Sequence, residues 1–352
     1  MLNKNGVEMK DELPLVSIII PCRNEEDMIG RCLKSIVAQD YPKEKTEVLV
    51  IDGMSSDKTI EIIKSYQARY NNIKLIKNPN KITPVAFNIG LNASKGQVII
   101  IMGAHAEYDY DYISKCVEGL IKYGVDNIGG NMITLPAKNT AISKAISLVL
   151  SSSFGVGKSY FRIGLKEPKY VDTVFGGCYK RSVFEKIGYF NEKLQRCQDI
   201  EFNLRLKKHG MKTLLDPEIK CYYYPPYNLL EFIKKKYVDG IWAILSFKYS
   251  NIIPVTLKSL VPLFFIVSIA TLSFLSYFDK IFLYFLILEL LLYFLFDFVY
   301  CSRIIIKEKN ILLGLCAFIT FPALHISYGL GSLIGLINLI TILIKEKCFI
   351  KK

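Results

Sequence analysis

The 352-residue chain has only one tryptophan and three histidines, and its nine cysteines never form a Cys-x-x-Cys pair. Without that pair, or a histidine spacing suited to zinc, zinc ribbons and zinc fingers are excluded. Scattered cysteines of this kind are typical of reduced thiols in the cytosol. The pattern therefore predicts a protein in a reducing compartment.

Two targeting and recognition signals are also missing. No basic stripe interleaved with aromatic residues runs along the chain, which argues against nucleic-acid binding even though the net charge is +13. Residues 1–13 are polar and charged, so we expect no cleavable signal peptide. The charge still favours an anionic partner, either a nucleotide diphosphate or an anionic membrane surface.

Residues 48–59 join a short apolar run to two carboxylates. The run ends at Asp52, Gly53 follows, and Asp57 lies inside a Ser-Ser-Asp-Lys-Thr turn. Such runs are typical of buried parallel strands, and ligands of open α/β sheets bind beyond the carboxyl ends of strands. The same residues also fit a solvated turn in which Asp57 caps a helix.

Strand and helix patterns alternate over the first part of the chain. Buried strands are predicted at residues 15–20, 48–51, 74–76 and 97–102. This alternation predicts an α/β fold with a doubly wound parallel sheet and right-handed crossovers. Polar segments that follow the four strands then gather at one sheet edge: 23–25, 52, 78–81 and 103–107.

The next part of the chain is less regular. Residues 141–150 predict an amphipathic helix, and the Phe-Gly-Val-Gly run at 154–157 predicts a flexible turn. Gly176 and Gly177 interrupt a strand-like segment. Such glycines indicate either a plain bulge or a place where the backbone comes close to a ligand. Asp199 begins a further helix, where it suits a helix cap as well as a catalytic base.

Long apolar runs dominate from residue 259 onward. Residues 259–278 and 281–300 each have the length that spans a bilayer. Residues 311–344 exceed one span without reaching two, which indicates a long tilted helix or one broken around Pro322. We therefore expect about three membrane segments within residues 251–352.

Residues 227–250 mix apolar side chains with three consecutive lysines. This composition is typical of an interfacial amphipathic helix on an anionic membrane, and also of a surface helix of a soluble domain. Basic residues before position 311 favour a cytoplasmic loop, so we expect a multi-pass protein of the cell membrane with its soluble domain in the cytoplasm. A re-entrant last segment would keep the lysine-rich tail, residues 345–352, on the same side. Glu289 lies mid-span and is expected to face protein or a lumen.

Five motifs in order resemble glycosyltransferase family 2, and within it the membrane-attached glucosyltransferases of succinoglycan assembly. They are VSIIIPCRNEE, IDGMSSDKT, GAHAEY, FGVG before VDTV, and QDIE before RL. The resemblance implies a GT-A (Rossmann-like) nucleotide-sugar domain at 15–226, after a polar tail at 1–14 and before C-terminal transmembrane helices.

The resemblance also implies an activity of class EC 2.4. It implies inverting transfer of a sugar from a nucleotide-diphosphate-sugar, with a UDP-sugar favoured, to a polyisoprenyl-diphosphate-linked saccharide in exopolysaccharide, capsule or other surface-glycan biosynthesis. A related alternative charges the polyisoprenyl phosphate itself. The Gln-x-x-Arg-Trp run of processive synthases is absent, which favours nonprocessive transfer. Matching positions assign the nucleotide to Pro21, Arg23, Glu25, Asp52, Lys81 and Gly103, and the general base to Asp199.

One position departs from the family pattern. Members resembling this chain hold Mg²⁺ or Mn²⁺ with Asp-x-Asp or Asp-x-His, whereas here Gly103 precedes His105. A neutral imidazole suits softer divalent ions better than Mg²⁺. Three outcomes stay open: the diphosphate, His105 and water hold the metal; Glu107 or Asp109 reaches in; or the protein is a weakened or inactive member that scaffolds a polysaccharide-assembly complex.

Overall fold

The computed structural model describes residues 13–252 and 257–350. The first elements are β1 (Val16–Cys22), α1 (Ile29–Val37), β2 (Thr46–Asp52), α2 (Thr59–Gln67), β3 (Ile73–Lys77), α3 (Thr83–Ala93), β4 (Val98–Ile101), β5 (Ala106–Tyr108), α4 (Tyr112–Lys122) and β6 (Asn127–Thr134). Then come α5 (Ala141–Leu150), α6 (Ser153–Val156), α7 (Tyr160–Ile163), β7 (Lys169–Tyr170), β8 (Cys178–Lys180), α8 (Arg181–Ile187), α9 (Gln198–Lys208) and β9 (Thr213–Tyr223). The last are α10 (Leu229–Tyr249), α11 (Val261–Leu275), α12 (Lys280–Glu308) and α13 (Ile311–Ile350). The prediction of an uncleaved N-terminus concerns residues that lie almost entirely outside the described part.

The chain divides into two compact units. Unit 1 comprises Met1–Ile133 and Gly164–Tyr223, and unit 2 comprises Thr134–Ile163 and Tyr224–Lys352. The sequence pattern places residues 134–163 inside the domain 15–226, whereas their contacts group them with the C-terminal helices.

Unit 1 is built on one mixed sheet with the order β3-β2-β1-β4-β8-β6-β9-β5, and β7 pairs with β9. The pairs β1–β2, β1–β4 and β2–β3 are parallel, as the sequence predicts. The pairs β4–β8, β6–β8 and β5–β9 are antiparallel. The apolar runs form the parallel half because a strand buried on both faces needs apolar side chains at successive positions.

Helices α3, α8 and α9 cover one face of this sheet. Ile19, Leu49 and Ile99 are fully buried in the cluster beneath them. Phe202 of α9 is also fully buried and stacks on Phe190, with ring centroids 4.4 Å apart. Burial of a large aromatic side chain contributes about 1.5–3 kcal/mol, so this contact fixes α9 firmly against the sheet.

Unit 2 is helical, and α5 and α6 pack with the long C-terminal helices. Phe154 of α6 lies among aromatic side chains, with its ring centroid 5.1 Å from Tyr300 and 5.0 Å from Phe321. Its carbonyl oxygen lies 3.0 Å from Nε2 of His325. The prediction of a flexible turn at residues 154–157 is therefore wrong: the Phe-Gly-Val-Gly run forms a helical turn that these contacts hold in place.

Helix α10 packs closely on α13. A β-carbon added to Gly240 would lie 2.1 Å from the Tyr328 carbonyl oxygen, and one added to Gly331 would lie 2.0 Å from that of Tyr237. Small residues at such crossings let helix backbones approach each other. Gly240 and Gly331 therefore allow the backbones of α10 and α13 to lie in contact.

In the described part of unit 2, two helices have the length and composition to cross a membrane: α12, with mean hydropathy 2.2, and Ile311–Glu346 of α13, with 1.8. Helix α11 has 15 residues, shorter than the about 20 of a full span, so the predicted segment at 259–278 is a shorter helix than expected. Helix α13 continues through Pro322 without a break. Glu289 accepts a hydrogen bond from Ser268 of α11 and faces protein, as expected.

Candidate active site

The carboxyl ends of β1, β2, β3 and β4 lie side by side in unit 1. In the parallel register Cys22 is opposite Asp52, Asp52 is opposite Lys77, and Ile19 is opposite Ile101. The polar segments that follow these strands are therefore neighbours, which confirms that they gather at one edge. We call this region the strand edge and define it as residues 23–25, 52–57, 78–81 and 103–107.

Left-handed backbone concentrates around the strand edge. Among the described residues, the non-glycine residues with positive φ are Asn24 (53°), Met54 (60°), Lys81 (62°), Cys197 (63°) and Lys309 (50°). The first three follow β1, β2 and β3, and Cys197 immediately precedes α9. Residues other than glycine rarely adopt a positive φ, and such backbone strain clusters at functional sites. Only Asn24 is of a type that favours it, so the sequence gives little warning of the pattern.

Hydrogen bonds tie the loop after β1 to the loop after β2. The N–H of Asn24 donates to Oγ of Ser55 (2.9 Å), and the N–H of Glu26 donates to Oδ2 of Asp57 (3.1 Å). Oδ1 of Asp57 accepts from the N–H of Thr59 at the start of α2 (3.0 Å). Burial alone would raise the pKa of Asp57, but the hydrogen bonds from Thr59 and Glu26 outweigh it and lower that pKa. Asp57 therefore stabilises the turn before α2, which agrees with the structural role that the sequence offers for it.

Asp52 is 1% exposed, and its carboxylate is hydrogen-bonded within the protein. It accepts hydrogen bonds from Oγ of Ser55 (2.5 Å) and from the Ser55 N–H (3.1 Å). Burial and the nearby Asp52 charge raise the pKa of the Cys22 thiol, so that thiol stays protonated. Asp52 thus fixes the loop that carries Met54, and only its remaining lone pairs can serve a ligand.

Three more residues assigned to the nucleotide lie on or beside the strand edge. Pro21 is in β1 opposite Ile51. Arg23 is exposed and packs over Gly53, where an added β-carbon would lie 3.2 Å from the β-carbon of Arg23. Lys81 is exposed in the loop between β3 and α3. Their positions suit a ligand at this edge, and their roles stay predictions.

Gly103 lies two residues after the end of β4, and an aromatic ring lies beside it. A β-carbon at this position would lie 3.3 Å from Cζ of Phe175. The N–H of Gly103 donates to the hydroxyl of Tyr108 (2.7 Å), and its carbonyl accepts a weak hydrogen bond from the Cys32 thiol (3.6 Å). The backbone at this position is therefore held firmly, and a side chain there would press on Phe175.

His105 lies beside Glu25, with Nδ1 of the imidazole 3.4 Å from Oε1 of the carboxylate. The ring of Tyr223 packs edge-on against His105, with centroids 5.2 Å apart. Glu107 is paired instead with Arg31, at 2.5 Å. In the described part of the chain no three histidine, cysteine or acidic side chains gather as metal ligands.

A strap, residues 173–177, links the end of β4 to α9. The hydroxyl of Thr173 accepts a hydrogen bond from Nδ2 of Asn203 in α9 (3.2 Å). The carbonyl of Gly177 accepts from the N–H of Ile101 in β4 (3.0 Å). Both glycines of the strap have positive φ, so they bend the backbone against β4. Phe175, in the middle of the strap, places its ring beside Gly103.

Helix α9 places Asp199 in its first turn, as predicted. Asp199 is half-buried, and its backbone carbonyl accepts a hydrogen bond from Nδ2 of Asn203 (2.9 Å). Glu201, one turn before Arg205, pairs with it at 3.1 Å. Arg205 also donates to the backbone carbonyl of Tyr189 (2.7 Å). These contacts fix the helix, and the strap links Asn203, one turn after Asp199, to the end of β4.

Comparisons with known proteins match this arrangement. Residues 17–188 match the family model described as glycosyl transferase family 2. A Methanococcus voltae protein is 35% identical over 227 residues, which cover 62% of this chain and 70% of the relative. The chain belongs to glycosyltransferase family 2. It is therefore a glycosyltransferase of class EC 2.4, as the five sequence motifs indicate.

Two further comparisons extend this assignment. The succinoglycan biosynthesis protein ExoA of Rhizobium meliloti is 25% identical over 257 residues, covering 72% of this glycosyltransferase and 76% of ExoA. The mannosyltransferase PcManGT from Pyrobaculum calidifontis, solved with GDP-Man and Mn²⁺, aligns with a TM-score of 0.56 at 16% identity, over 92% of this chain and 87% of PcManGT. The sheet and these likenesses confirm the GT-A fold.

Proposed function

We propose that this glycosyltransferase moves one sugar, with inversion, from a nucleotide-diphosphate-sugar to a saccharide linked to a polyisoprenyl diphosphate. The observation that carries the proposal is the strap, which bonds the end of β4 through Gly177 and bonds Asn203 of α9 through Thr173; Asn203 in turn bonds the backbone of Asp199 in the first turn of α9. A donor held at the strand edge would therefore lie close to a carboxylate on a rigid helix. That is the arrangement a single displacement requires.

Asp199 is the general base in this proposal. Its carboxylate takes the proton from the attacking acceptor hydroxyl while the new bond forms at the anomeric carbon. The bond from that carbon to the nucleotide diphosphate breaks on the opposite side, which inverts the configuration. A positioned base of this kind contributes about 10²–10⁴-fold to the rate.

The strand edge holds the donor nucleotide in this proposal. The left-handed loops after β1, β2 and β3 and the exposed side chains of Arg23 and Lys81 supply backbone donors and positive charge. Pro21, Glu25, Asp52 and Gly103 shape the same edge. A UDP-sugar is the first donor to examine, and a GDP-sugar is the second because PcManGT was solved with GDP-Man.

A divalent cation fits the strand edge only in part. Family members use Mg²⁺ or Mn²⁺, and PcManGT was solved with Mn²⁺. Here His105 offers an imidazole with Glu25 beside it, while Gly103 offers no side chain. One carboxylate or imidazole together with substrate phosphates is a usual way to hold such an ion. When bound, the ion would neutralise charge on the departing diphosphate.

Unit 2 anchors the enzyme to the membrane in this proposal. Helices α12 and α13 have the length and composition to span it. Helix α10 carries Lys234, Lys235 and Lys236 near apolar side chains, which suits contact with anionic lipid headgroups. We infer a multi-pass protein with unit 1 in the cytoplasm, where nucleotide-sugars are made. The name of the Methanococcus voltae relative contains a dolichyl-linked sugar phosphate, which supports a polyisoprenyl-linked acceptor.

A second candidate is a silent family member that scaffolds a polysaccharide-assembly complex. The contact of Phe175 with the position of the missing carboxylate favours it. The two functions differ in whether the isolated protein transfers sugar.

Membranes containing the full-length protein should be incubated with radiolabelled UDP- and GDP-sugars. Four acceptor conditions are compared: a polyisoprenyl-diphosphate saccharide, a polyisoprenyl-monophosphate saccharide, bare polyisoprenyl phosphate, and none. We expect label only in the lipid-linked saccharides, with one sugar added. Label on the bare phosphate would mean that the enzyme charges the carrier, and no transfer with any donor would favour the scaffold.

A further inference from the structure

Glu25 and His105 face each other across the strand edge. Oε1 of the carboxylate lies 3.4 Å from Nδ1 of the imidazole, and the two side chains are 25% and 34% exposed. Two adjacent ligands of an octahedral ion bound at about 2.1 Å lie about 3 Å apart. The pair therefore has nearly the spacing that a shared divalent cation needs, and it is open to substrate.

A carboxylate at position 103 would be crowded by the Phe175 ring. A β-carbon there would already lie 3.3 Å from the Phe175 ring, and the rest of an aspartate side chain would need further room. Phe175 is held in turn by Tyr223, whose ring packs edge-on against it at 6.0 Å. The ring of Phe175 therefore lies in the space that a side chain at position 103 would need, and the ring of Tyr223 packs against it.

The other carboxylates on or next to the strand edge already have partners, and Asp57 accepts hydrogen bonds from the backbone N–H groups of Thr59 and Glu26. Asp52 accepts two hydrogen bonds from Ser55. Glu107 is paired with Arg31. Asp109 hydrogen-bonds the hydroxyl of Tyr222. The two acidic residues that the sequence offers as replacements, Glu107 and Asp109, thus already have structural partners.

We propose that Glu25 supplies the carboxylate ligand that position 103 lacks, so that a divalent cation accompanying the donor is held by Glu25, His105 and the diphosphate. This inference rests on the proposed nucleotide-diphosphate donor. Mg²⁺ and Mn²⁺ are commonly bound by one or two carboxylates plus substrate phosphates, with water completing the shell. The imidazole shifts the preference toward Mn²⁺.

The aromatic side chains also orient His105. Tyr223 contacts the imidazole edge-on at 5.2 Å with an interplanar angle of 72°. The same tyrosine packs on Phe175. One aromatic group therefore crowds position 103 and packs against the imidazole that faces Glu25.

Binding of UDP and GDP to the full-length protein in detergent, measured by calorimetry with and without Mn²⁺, tests this assignment. Mn²⁺ binding is followed in parallel by electron paramagnetic resonance. The variants are Glu25→Gln, which keeps the shape but loses the charge, Glu25→Asp, and Asp27→Asn as a control that removes an exposed carboxylate two residues away. Circular dichroism verifies that each variant is folded.

We expect Mn²⁺ to tighten nucleotide binding by the wild type and Asp27→Asn by about tenfold or more, since even loss of an outer-shell partner changes metal affinity by about 10–100-fold. Glu25→Gln should lose most of this gain, so that its affinity falls more with Mn²⁺ than without it. Gly103→Asp combined with Phe175→Leu should restore the gain in the Glu25→Gln background.

Four results would overturn the assignment. Equal weakening of nucleotide binding by Glu25→Gln with and without Mn²⁺ would make Glu25 a nucleotide contact and not a metal ligand. An intact Mn²⁺ gain in Glu25→Gln, or no gain in the wild type, would remove Glu25 as a ligand while leaving the donor site standing. A folded wild type that binds neither nucleotide would refute the donor site itself.

Discussion

The side-chain amide of Asn203 donates a hydrogen bond of 2.9 Å to the backbone carbonyl of Asp199, one turn earlier in α9. Asn203 is 1% exposed, and its Oδ1 accepts from Nδ2 of Asn127 in β6 (2.8 Å). The same amide reaches Thr173 of the strap. One buried side chain therefore connects the turn that carries the proposed base to a strand and to the strap.

Replacing Asn203 by alanine should lower kcat by about tenfold without a change in donor KM, because a base displaced by a fraction of an ångström loses rate and not donor affinity. The lost hydrogen bonds should also cost about 1–3 kcal/mol of stability. Steady-state kinetics with varied donor measure the split. Asn88→Ala is the control, since Asn88 is a buried asparagine that bonds the backbone of Phe190. An equal loss of kcat in both variants would mean that Asn203 acts only through stability.

Gly103→Asp should raise the response of the transfer rate to Mn²⁺, since it adds a hard oxygen ligand two residues from His105. The gain should be larger when Phe175 is also shortened to leucine, because the ring stands 3.3 Å from the new β-carbon. Rates measured over a series of Mn²⁺ concentrations report the change. Gly103→Asn, which has the same size without the charge, is the matched control. An unchanged metal response in Gly103→Asp would show that position 103 does not reach the ion.

Phe154→Ala should lower the thermal stability of the protein in detergent, because its ring lies among Tyr300, Phe321 and His325. The side chain is only half-buried, so the loss should be smaller than the about 3–5 kcal/mol of a fully buried phenylalanine. Phe274→Ala is the control, because Phe274 is 67% exposed. Equal unfolding temperatures for the two variants would contradict an anchoring role for Phe154.

Cys22 should resist alkylation by iodoacetamide in the native protein at pH 8 and react fully after unfolding. Burial and the Asp52 carboxylate both raise the pKa of this thiol, so the reactive thiolate is scarce. Peptide mass spectrometry after timed labelling measures the rate. Rapid labelling of the folded protein would mean that the loop over Asp52 opens readily.

The parallel half of the sheet and its polar edge could be predicted from the sequence because their signals are local. Buried parallel strands appear as continuous apolar runs, and the residues after them gather wherever the strands pair in parallel. The antiparallel half of the sheet contains residues that local sequence rules place outside strands. Strand β6 contains Gly129 and Gly130, and β9 contains Pro217, residues that argue against a strand. Tertiary pairing outweighs these local preferences.

The candidate site shows the same division. Asp199 and the strand-edge residues stand in short motifs that the sequence displays. Asn203, Phe175 and Tyr223 act through contacts with residues 30–120 positions away, such as Thr173, Gly103 and His105. Nothing in their immediate neighbours in the sequence indicates those contacts. Their contribution becomes visible only when the strap and α9 are placed against β4.

The most direct measurement compares the wild type with Asp199→Asn in transfer of labelled sugar to a lipid-linked saccharide, alongside donor binding by both proteins. The account predicts an unchanged donor affinity and a transfer rate lower by about 10²–10⁴-fold in Asp199→Asn, because only the proton acceptor is lost. Transfer by Asp199→Asn at a rate near that of the wild type would contradict the assignment of Asp199 as the base.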